Sequence, residues 1–269
     1  MGAQTALPTC MTRISEGENM YTKSDWESSL EKEKEFWIRD RDRVCSEWWL
    51  DIRRARVKRL KEWVSRFLLI DDRSVILQIG AGADGEINFL GVGRRFAVDP
   101  LADFFKTEFT RILDPSVDFK AGVGEDLPYE DDMFDLVIIH NALDHTFEPQ
   151  KVLAEIRRVL KPGGLNHLAM HTYPAVWLPL LRVLKLIQGS KDHPWRYTSS
   201  KVKRDLLANS LQVLDARYGA RDELSIPEWL PLTPQLRVAR LLGLSVPMLH
   251  ILAMKGGEPV RKTGGEASR

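Results

Sequence analysis

Three glycines and one carboxylate have the types and the spacing to bind a nucleoside. An apolar run over 75–79 leads into Gly80-x-Gly82-x-x-Gly85, where missing side chains let the backbone turn tightly and approach a ligand. A second apolar run ends at Asp99, whose carboxylate can accept hydrogen bonds from both hydroxyls of a ribose. These residues predict a pocket for a nucleoside-containing cofactor, without saying which one.

The composition limits the class of protein. A length of 269 residues with 43% apolar and 29% charged residues suits one α/β domain with additions. The formal net charge of +1 provides no global field for nucleic acid. Two cysteines form no disulfide framework and indicate a reducing compartment. Residues 1–6 lack the features of a signal peptide, and no apolar run reaches the ~18 residues of a membrane span. We expect a cytoplasmic protein without a nucleic-acid partner.

The chain divides into four segments. We expect a mobile N-terminus over 1–25, a helical cap over 26–70, a main domain over 71–256 and a disordered tail over 257–269. The cap contains an aromatic cluster of Phe36, Trp37, Trp48 and Trp49. These rings either pack the cap onto the main domain or line a substrate cleft.

Strands and helices alternate through the main domain, which is typical of βαβ units and a parallel sheet. The predicted strands cover 74–79, 95–98, 117–120, 134–139, 164–171, 211–218 and 246–254. The predicted helices cover 85–91, 101–113, 149–160, 175–188 and 199–209.

Four later segments help to decide which nucleoside-containing cofactor the pocket binds. They are Glu125-Asp-Leu-Pro128, Phe134-Asp135, the turn containing His145, and Leu160-Lys-Pro-Gly-Gly164. With the glycines and Asp99, they occur in the order that is typical of the class I S-adenosylmethionine-dependent methyltransferases. Over about residues 70–172 the sequence resembles the small-molecule subgroup that contains the ubiquinone and menaquinone biosynthesis enzymes. Nicotinamide-binding proteins share only the glycines and the acid.

The resemblance implies a Rossmann-like α/β fold. Its sheet has seven strands, mostly parallel with an antiparallel last strand, and helices on both faces. A helical N-terminal extension precedes it, and a lid insert follows the fifth strand at about 174–209.

The resemblance also implies the cofactor, S-adenosylmethionine, and the residues that contact it. The matching positions are Gln78, Gly80, Ala81, Gly82, Asp99, Pro100, Leu101, Gly124, Glu125 and Asn141. Two positions depart from the family. Gln78 stands where Asp or Glu is usual, and Val123 stands where an Asp often meets the adenine amine.

Methyl transfer needs an aligned nucleophile and, where that nucleophile carries a proton, a base. His145 is the first candidate base because it matches the family's histidine turn and titrates near neutral pH; a hydrogen-bonding role in the loop is the alternative. Asp144 and His171 are further catalytic candidates at the same sheet edge. The acceptor is expected to meet His140, His193, Trp195, Arg196 and Tyr197. The histidine spacing predicts no metal site.

The acceptor stays open at this stage. We expect O- or N-methylation of a small-molecule, saccharide or lipid-linked acceptor. Helix 175–188 is a lid, a cap on the sheet or, through Arg182 and Lys185, a peripheral membrane contact. A cofactor-binding regulatory protein of the same fold is the alternative function. An RNA methyltransferase is weaker, since the chain lacks a basic tail and an N-P-P-Y motif. The oligomeric state is not predicted.

Overall fold

The computed structural model describes residues 21–175, 194–218 and 248–257. Within these ranges seven strands form one sheet in the order β3-β2-β1-β4-β5-β7-β6. The strands are β1 Val75–Ile79, β2 Arg94–Asp99, β3 Val117–Ala121, β4 Phe134–His140, β5 Leu160–His171, β6 Leu211–Tyr218 and β7 Met248–Lys255. The first five are parallel, and β7 runs antiparallel to both of its neighbours. The predicted sheet is confirmed.

Helices cover both faces of the sheet, as predicted. They are α1 Lys23–Arg39, α2 Arg41–Val44, α3 Glu47–Val64, α4 Ala102–Glu108, α5 Pro149–Val159 and α6 Ser199–Ala208, with 3₁₀ helices at Glu86–Phe89 and Leu143–His145. Along β4, Leu136 and Ile138 face the core shared with α3. Val137 and Ile139 face the core shared with α5 and α6. The strand is therefore buried on both sides, as its unbroken apolar sequence indicates.

Two helices are shorter than predicted. The helix expected over 85–91 is the 3₁₀ helix Glu86–Phe89, because Gly91 and Gly93 take left-handed φ angles of 67° and 76° and end it. The helix expected over 101–113 ends at Glu108.

The helical segment predicted over 26–70 consists of three helices. Helix α1 begins at Lys23, where Thr22 and Asp25 form a reciprocal capping box, and α3 begins after Ser46, whose side chain accepts from the Trp49 N–H. Of the predicted mobile segment 1–25, residues 1–20 lie outside the described residues. Of the predicted tail 257–269, residues 258–269 lie outside them.

The motif segments around Asp135 and Lys161 lie at the amino end of the sheet. One Asp135 oxygen accepts the Val75 N–H at 2.8 Å, and Lys161 Nζ lies 2.9 Å from the same oxygen. Since ligands bind at the carboxyl ends of strands in open α/β sheets, these residues join β1, β4 and β5 rather than bind the ligand.

Helix α3 is tied to the far edge of the sheet through Trp63. Its indole N–H donates to Asp215 Oδ2 at 2.8 Å, and the Arg217 guanidinium lies 4.6 Å from its ring centroid. Trp63 is 6% exposed, whereas Trp48 on the same helix is 39% exposed.

We expect Trp63→Ala to lower the free energy of unfolding by about 3–5 kcal/mol, because it opens a cavity and removes the indole donor, leaving Asp215 only its longer contacts with Arg66 and Arg217. Urea denaturation followed by circular dichroism measures this. Trp48→Ala is the matched control and should change stability by less than about 1 kcal/mol. Equal losses in the two variants would contradict the proposed anchoring of α3.

Candidate functional site

The glycine loop at the carboxyl end of β1 is held closely from two sides. Gly80 and Gly82 have φ angles of 62° and 55°. A Cβ at Gly80 would lie 2.4 Å from the Ala142 Cβ, and one at Gly82 would lie 2.8 Å from Trp37 Cζ2. The backbone therefore passes between the β4 exit and the cap at a distance that only glycine allows.

Asp99 lies at the end of β2 beside this loop. Its carboxylate accepts the Gly82 N–H at 2.9 Å and the Leu101 N–H at 2.8 Å. Burial raises its pKa to about 7, against the lowering effect of these two donors, and Glu33 on α1 adds to the rise. The two donors therefore fix the carboxylate beside the glycine loop, at the end of β2.

The cap covers the glycine loop. The Trp37 ring lies against Gly82 and packs edge-on to Phe105 and Phe109. The Trp49 indole N–H donates to Asp84 Oδ2 at 2.7 Å. Of the aromatic cluster, these two rings pack the cap onto the main domain.

Glu86 is a site residue that the sequence analysis did not assign. The Gln78 amide donates to Glu86 Oε2 at 2.8 Å and accepts the Ile87 N–H at 2.8 Å. His140 Nδ1 lies 2.5 Å from Glu86 Oε1, and Arg56 Nη1 lies 3.5 Å from it. Glu86 thus places a carboxylate directly against the Gln78 amide. Its position directly after Gly85 was the available signal.

The charges of this group follow from its burial. Burial would raise the pKa of Glu86, but His140, Arg56 and Arg53 outweigh it and hold that pKa well below its usual range. Burial lowers the pKa of His140, although Glu86 opposes this. These surroundings favour the ionised form of Glu86, while burial disfavours the charged form of His140.

Two more histidines lie on the same face of the sheet. His167 Nε2 is 3.2 Å from His250 Nδ1, and the two rings stack with centroids 5.5 Å apart. Burial lowers the pKa of His167 to about 3 and that of His250 to about 2. They are neutral core residues.

The other predicted cofactor contacts lie around the same edge. Ala81 and Leu101 are buried, and Pro100 is partly exposed. A Cβ at Gly124 would approach Ile79 Cγ2 to 3.0 Å, so that loop also passes close to β1. Glu125 instead receives the N–H groups of residues 147 and 148 at 2.8 and 3.0 Å. Its side chain holds the start of α5.

The predicted catalytic residues surround the exits of β4 and β5. Asn141 is exposed with a left-handed φ of 55°, and it turns the chain into the 3₁₀ helix Leu143–His145. In that helix Asp144 is buried and His145 is partly buried. His171, at the end of β5, is exposed.

The segment before α6 meets the same region. The Trp195 indole N–H donates to the Thr146 carbonyl at 2.7 Å, directly after the His145 turn. The Tyr173 N–H donates to the Tyr197 carbonyl at 2.8 Å. Tyr197 is only 2% exposed, and its ring packs in the core. Arg196 is partly exposed, whereas His193 lies outside the described residues, as does nearly all of helix 175–188.

Within the three described ranges, no group of three His, Cys, Asp or Glu side chains is arranged to hold a metal ion. Among the helices of those ranges, none combines the length and apolarity needed to cross a membrane.

The sheet order, the glycine loop and Asp99 define the fold of class I S-adenosylmethionine-dependent methyltransferases. The family model described as a methyltransferase domain matches residues 77–168. Residues 77–168 are therefore similar to a methyltransferase domain, and S-adenosylmethionine is the cofactor that this similarity indicates.

Individual relatives agree with this assignment. Demethylmenaquinone methyltransferase of Paenarthrobacter aurescens is 43% identical over 70 residues, which are 26% of this chain and 27% of the relative. A methyltransferase of Haloferax volcanii, solved with the Trm112 methyltransferase activator, superposes with a TM-score of 0.59 at 16% identity, over 87% of this chain and 99% of that one. Geranyl diphosphate C-methyltransferase of Streptomyces coelicolor, solved with S-adenosyl-L-homocysteine, superposes with a TM-score of 0.56 at 14% identity. The match covers 74% of this chain and 79% of that one.

The chain spans only 25% to 44% of the length of the first curated relatives that it matches. At identities of 14% to 16%, the two solved structures establish the fold alone.

The raised pKa of Asp99 predicts a pH-dependent stability. The folded pKa of about 7 exceeds the ordinary value of 3.8, so the folded chain binds this proton more tightly than the unfolded chain. The free energy of unfolding contributed by Asp99 should therefore fall by up to roughly 4 kcal/mol as the pH rises between those values. The measurement is urea denaturation of the native protein and Asp99→Asn across this range.

Asp103→Asn, at an exposed position on α4, is the matched control and should follow the native curve. Parallel curves for the native protein and Asp99→Asn would show that Asp99 titrates normally.

Proposed function

We propose that the chain transfers the methyl group of S-adenosylmethionine to a small-molecule acceptor. The observation that carries this proposal is the Asp99 carboxylate, fixed by two backbone N–H groups beside a glycine loop that tolerates no Cβ. A carboxylate at the end of the second strand, beside a glycine loop, fits the role of accepting hydrogen bonds from ribose hydroxyls. The methyltransferase match over residues 77–168 supports the choice of cofactor.

Each part of the pocket has a role in this proposal. Gly80 and Gly82 give the methionine and ribose portions access to the backbone. Asp99 holds the ribose hydroxyls through charge-assisted hydrogen bonds, and Leu101 flanks the adenine. When bound, the cofactor supplies a methyl group on a sulfonium, which is already activated for displacement. The protein aligns the acceptor and removes its proton where it carries one.

The acceptor class is inferred from the relatives and the edge residues. The likeness to demethylmenaquinone methyltransferase over 70 residues supports a small molecule. Saccharide or lipid-linked acceptors fit the same edge, where Trp195 and Arg196 adjoin the His145 turn. O- or N-methylation is our preference. The cysteine content supports a cytoplasmic location.

Cofactor binding is the first test. S-adenosylhomocysteine should bind the native protein in isothermal titration calorimetry, and Asp99→Ala should weaken binding at least about a hundredfold, since two hydrogen bonds to a charged group are lost. Asp103→Ala should bind like the native protein, because its side chain is 82% exposed. No binding by the native protein would refute the proposal. Binding without turnover on small molecules or RNA would favour the regulatory alternative.

The role of His145 is tested separately. If His145 is the base, His145→Ala should keep S-adenosylhomocysteine affinity and lose about 10²- to 10⁴-fold in kcat. The assay is S-adenosylhomocysteine release with a panel containing a naphthohydroquinone, a catechol and a primary amine. Full activity would remove His145 from catalysis and leave it the loop-holding role.

A further inference from the structure

A buried carboxylate and an imidazole meet directly at the carboxyl edge of the sheet. Glu86 begins the 3₁₀ helix after the glycine loop, and His140 ends β4. Their side chains are 3% and 7% exposed, and Glu86 Oε1 lies 2.5 Å from His140 Nδ1. We call this the Glu86–His140 pair.

The pair is fixed by its surroundings. Gln78 on β1 donates to the second Glu86 oxygen at 2.8 Å. Arg56 on α3 lies 3.5 Å from the oxygen that meets His140. The carboxylate therefore has partners on three elements, and its orientation toward the imidazole is set by all of them.

The pair has a defined proton arrangement. Charged and titratable groups face His140 from every packed element, namely Glu86, Arg53 and Arg56, His167 and His250. Both neighbouring histidines are neutral, and Glu86 is anionic. A neutral His140 must then place its proton on Nδ1, toward the carboxylate, which leaves the lone pair on Nε2.

The position of the pair adjoins the reacting region. Ala142, two residues beyond His140, approaches Gly80 so closely that a Cβ there would lie 2.4 Å away. The β4 exit and the glycine loop are therefore in contact. The His140 side chain keeps 7% of its surface accessible, and the residues His167 and His250 are each buried with 3% exposure.

We propose that His140, oriented by Glu86, is the proton acceptor for the acceptor molecule, and that the substrate class is a hydroxyl, phenol or other nucleophile that loses a proton on methylation. This rests on the proposed function. The nucleophile forms the new bond to the methyl carbon, the carbon–sulfur electron pair stays on sulfur, and the nucleophile's proton moves to Nε2. The resulting imidazolium is stabilised by the Glu86 carboxylate. Glu86 is a positioning residue.

The first test needs no acceptor. Heteronuclear NMR of the intact ¹⁵N-histidine-labelled protein reports which ring nitrogen of His140 carries the proton. The proposal expects protonated Nδ1 and bare Nε2 at neutral pH. A proton on Nε2, or an imidazolium, would overturn it, because the ring could not then accept a proton from a substrate.

The second test uses the panel acceptor with the highest rate. His140→Gln and Glu86→Gln should each lower kcat by about 10²- to 10⁴-fold, and the double variant should be no slower than His140→Gln. Because Glu86 raises the pKa of His140, the acidic limb of the kcat profile should move to lower pH in Glu86→Gln. Glu86→Asp, which keeps the charge, should recover about tenfold or more of the lost rate.

The outcomes separate the two proposals. Native kcat in His140→Gln, with S-adenosylhomocysteine bound at native affinity, would overturn the pair and leave the proposed function intact. An unmoved acidic limb in Glu86→Gln would overturn the positioning role of Glu86. Loss of S-adenosylhomocysteine binding by the native protein would instead refute the proposed function.

Discussion

The Glu86 carboxylate adds a buried polar junction to elements that also meet through the β1–β4 ladder and through the contacts of Trp49 and Arg53 with Asp84. It binds Gln78 on β1, His140 at the end of β4 and Arg56 on α3. Removing one partner of a buried charge costs several kcal/mol, typically about 3–5, because the other charge is left uncompensated. The loop, the strand exit and the cap are therefore held in one relative orientation by directional contacts. Apolar packing alone would allow them to slide.

Buried carboxylates stabilise both ends of the sheet through hydrogen bonds and ion pairs. The two ends differ in what these contacts position. At the amino end, Asp135 accepts the Val75 N–H and pairs with Lys161. At the carboxyl end, Asp99 accepts two N–H groups and Glu86 meets an imidazole and a guanidinium. Of these two groups of contacts, only the one at the carboxyl end lies beside glycine backbone and the titratable His140 imidazole. That end is the ligand-binding edge in open α/β sheets. The motif residues at the first edge are best explained by folding.

Local patterns were sufficient for the sheet and for the acid at Asp99. Unbroken apolar runs of strand length identify buried parallel strands, and the glycine spacing places the loop. The length of the 85–91 helix was wrong because two left-handed glycines decide where it ends. Glu86 was missed because two of its three partners, Arg56 and His140, lie 30 and 54 residues away, and no local period records such a contact. Packing of Trp37 onto the main domain was one of two alternatives, but its contact with Gly82 could not be predicted for the same reason.

The contact between Trp63 and Asp215 spans 152 residues of sequence. During synthesis the cap helix leaves the ribosome long before the strand that completes its packing exists. At elongation rates of about 5–20 residues per second, the interval is on the order of ten seconds or more. Throughout this interval the apolar face of α3 lacks its partner on β6. The helix is therefore synthesised well before the strand that completes its packing. A chaperone binding site on the nascent chain would be most useful there.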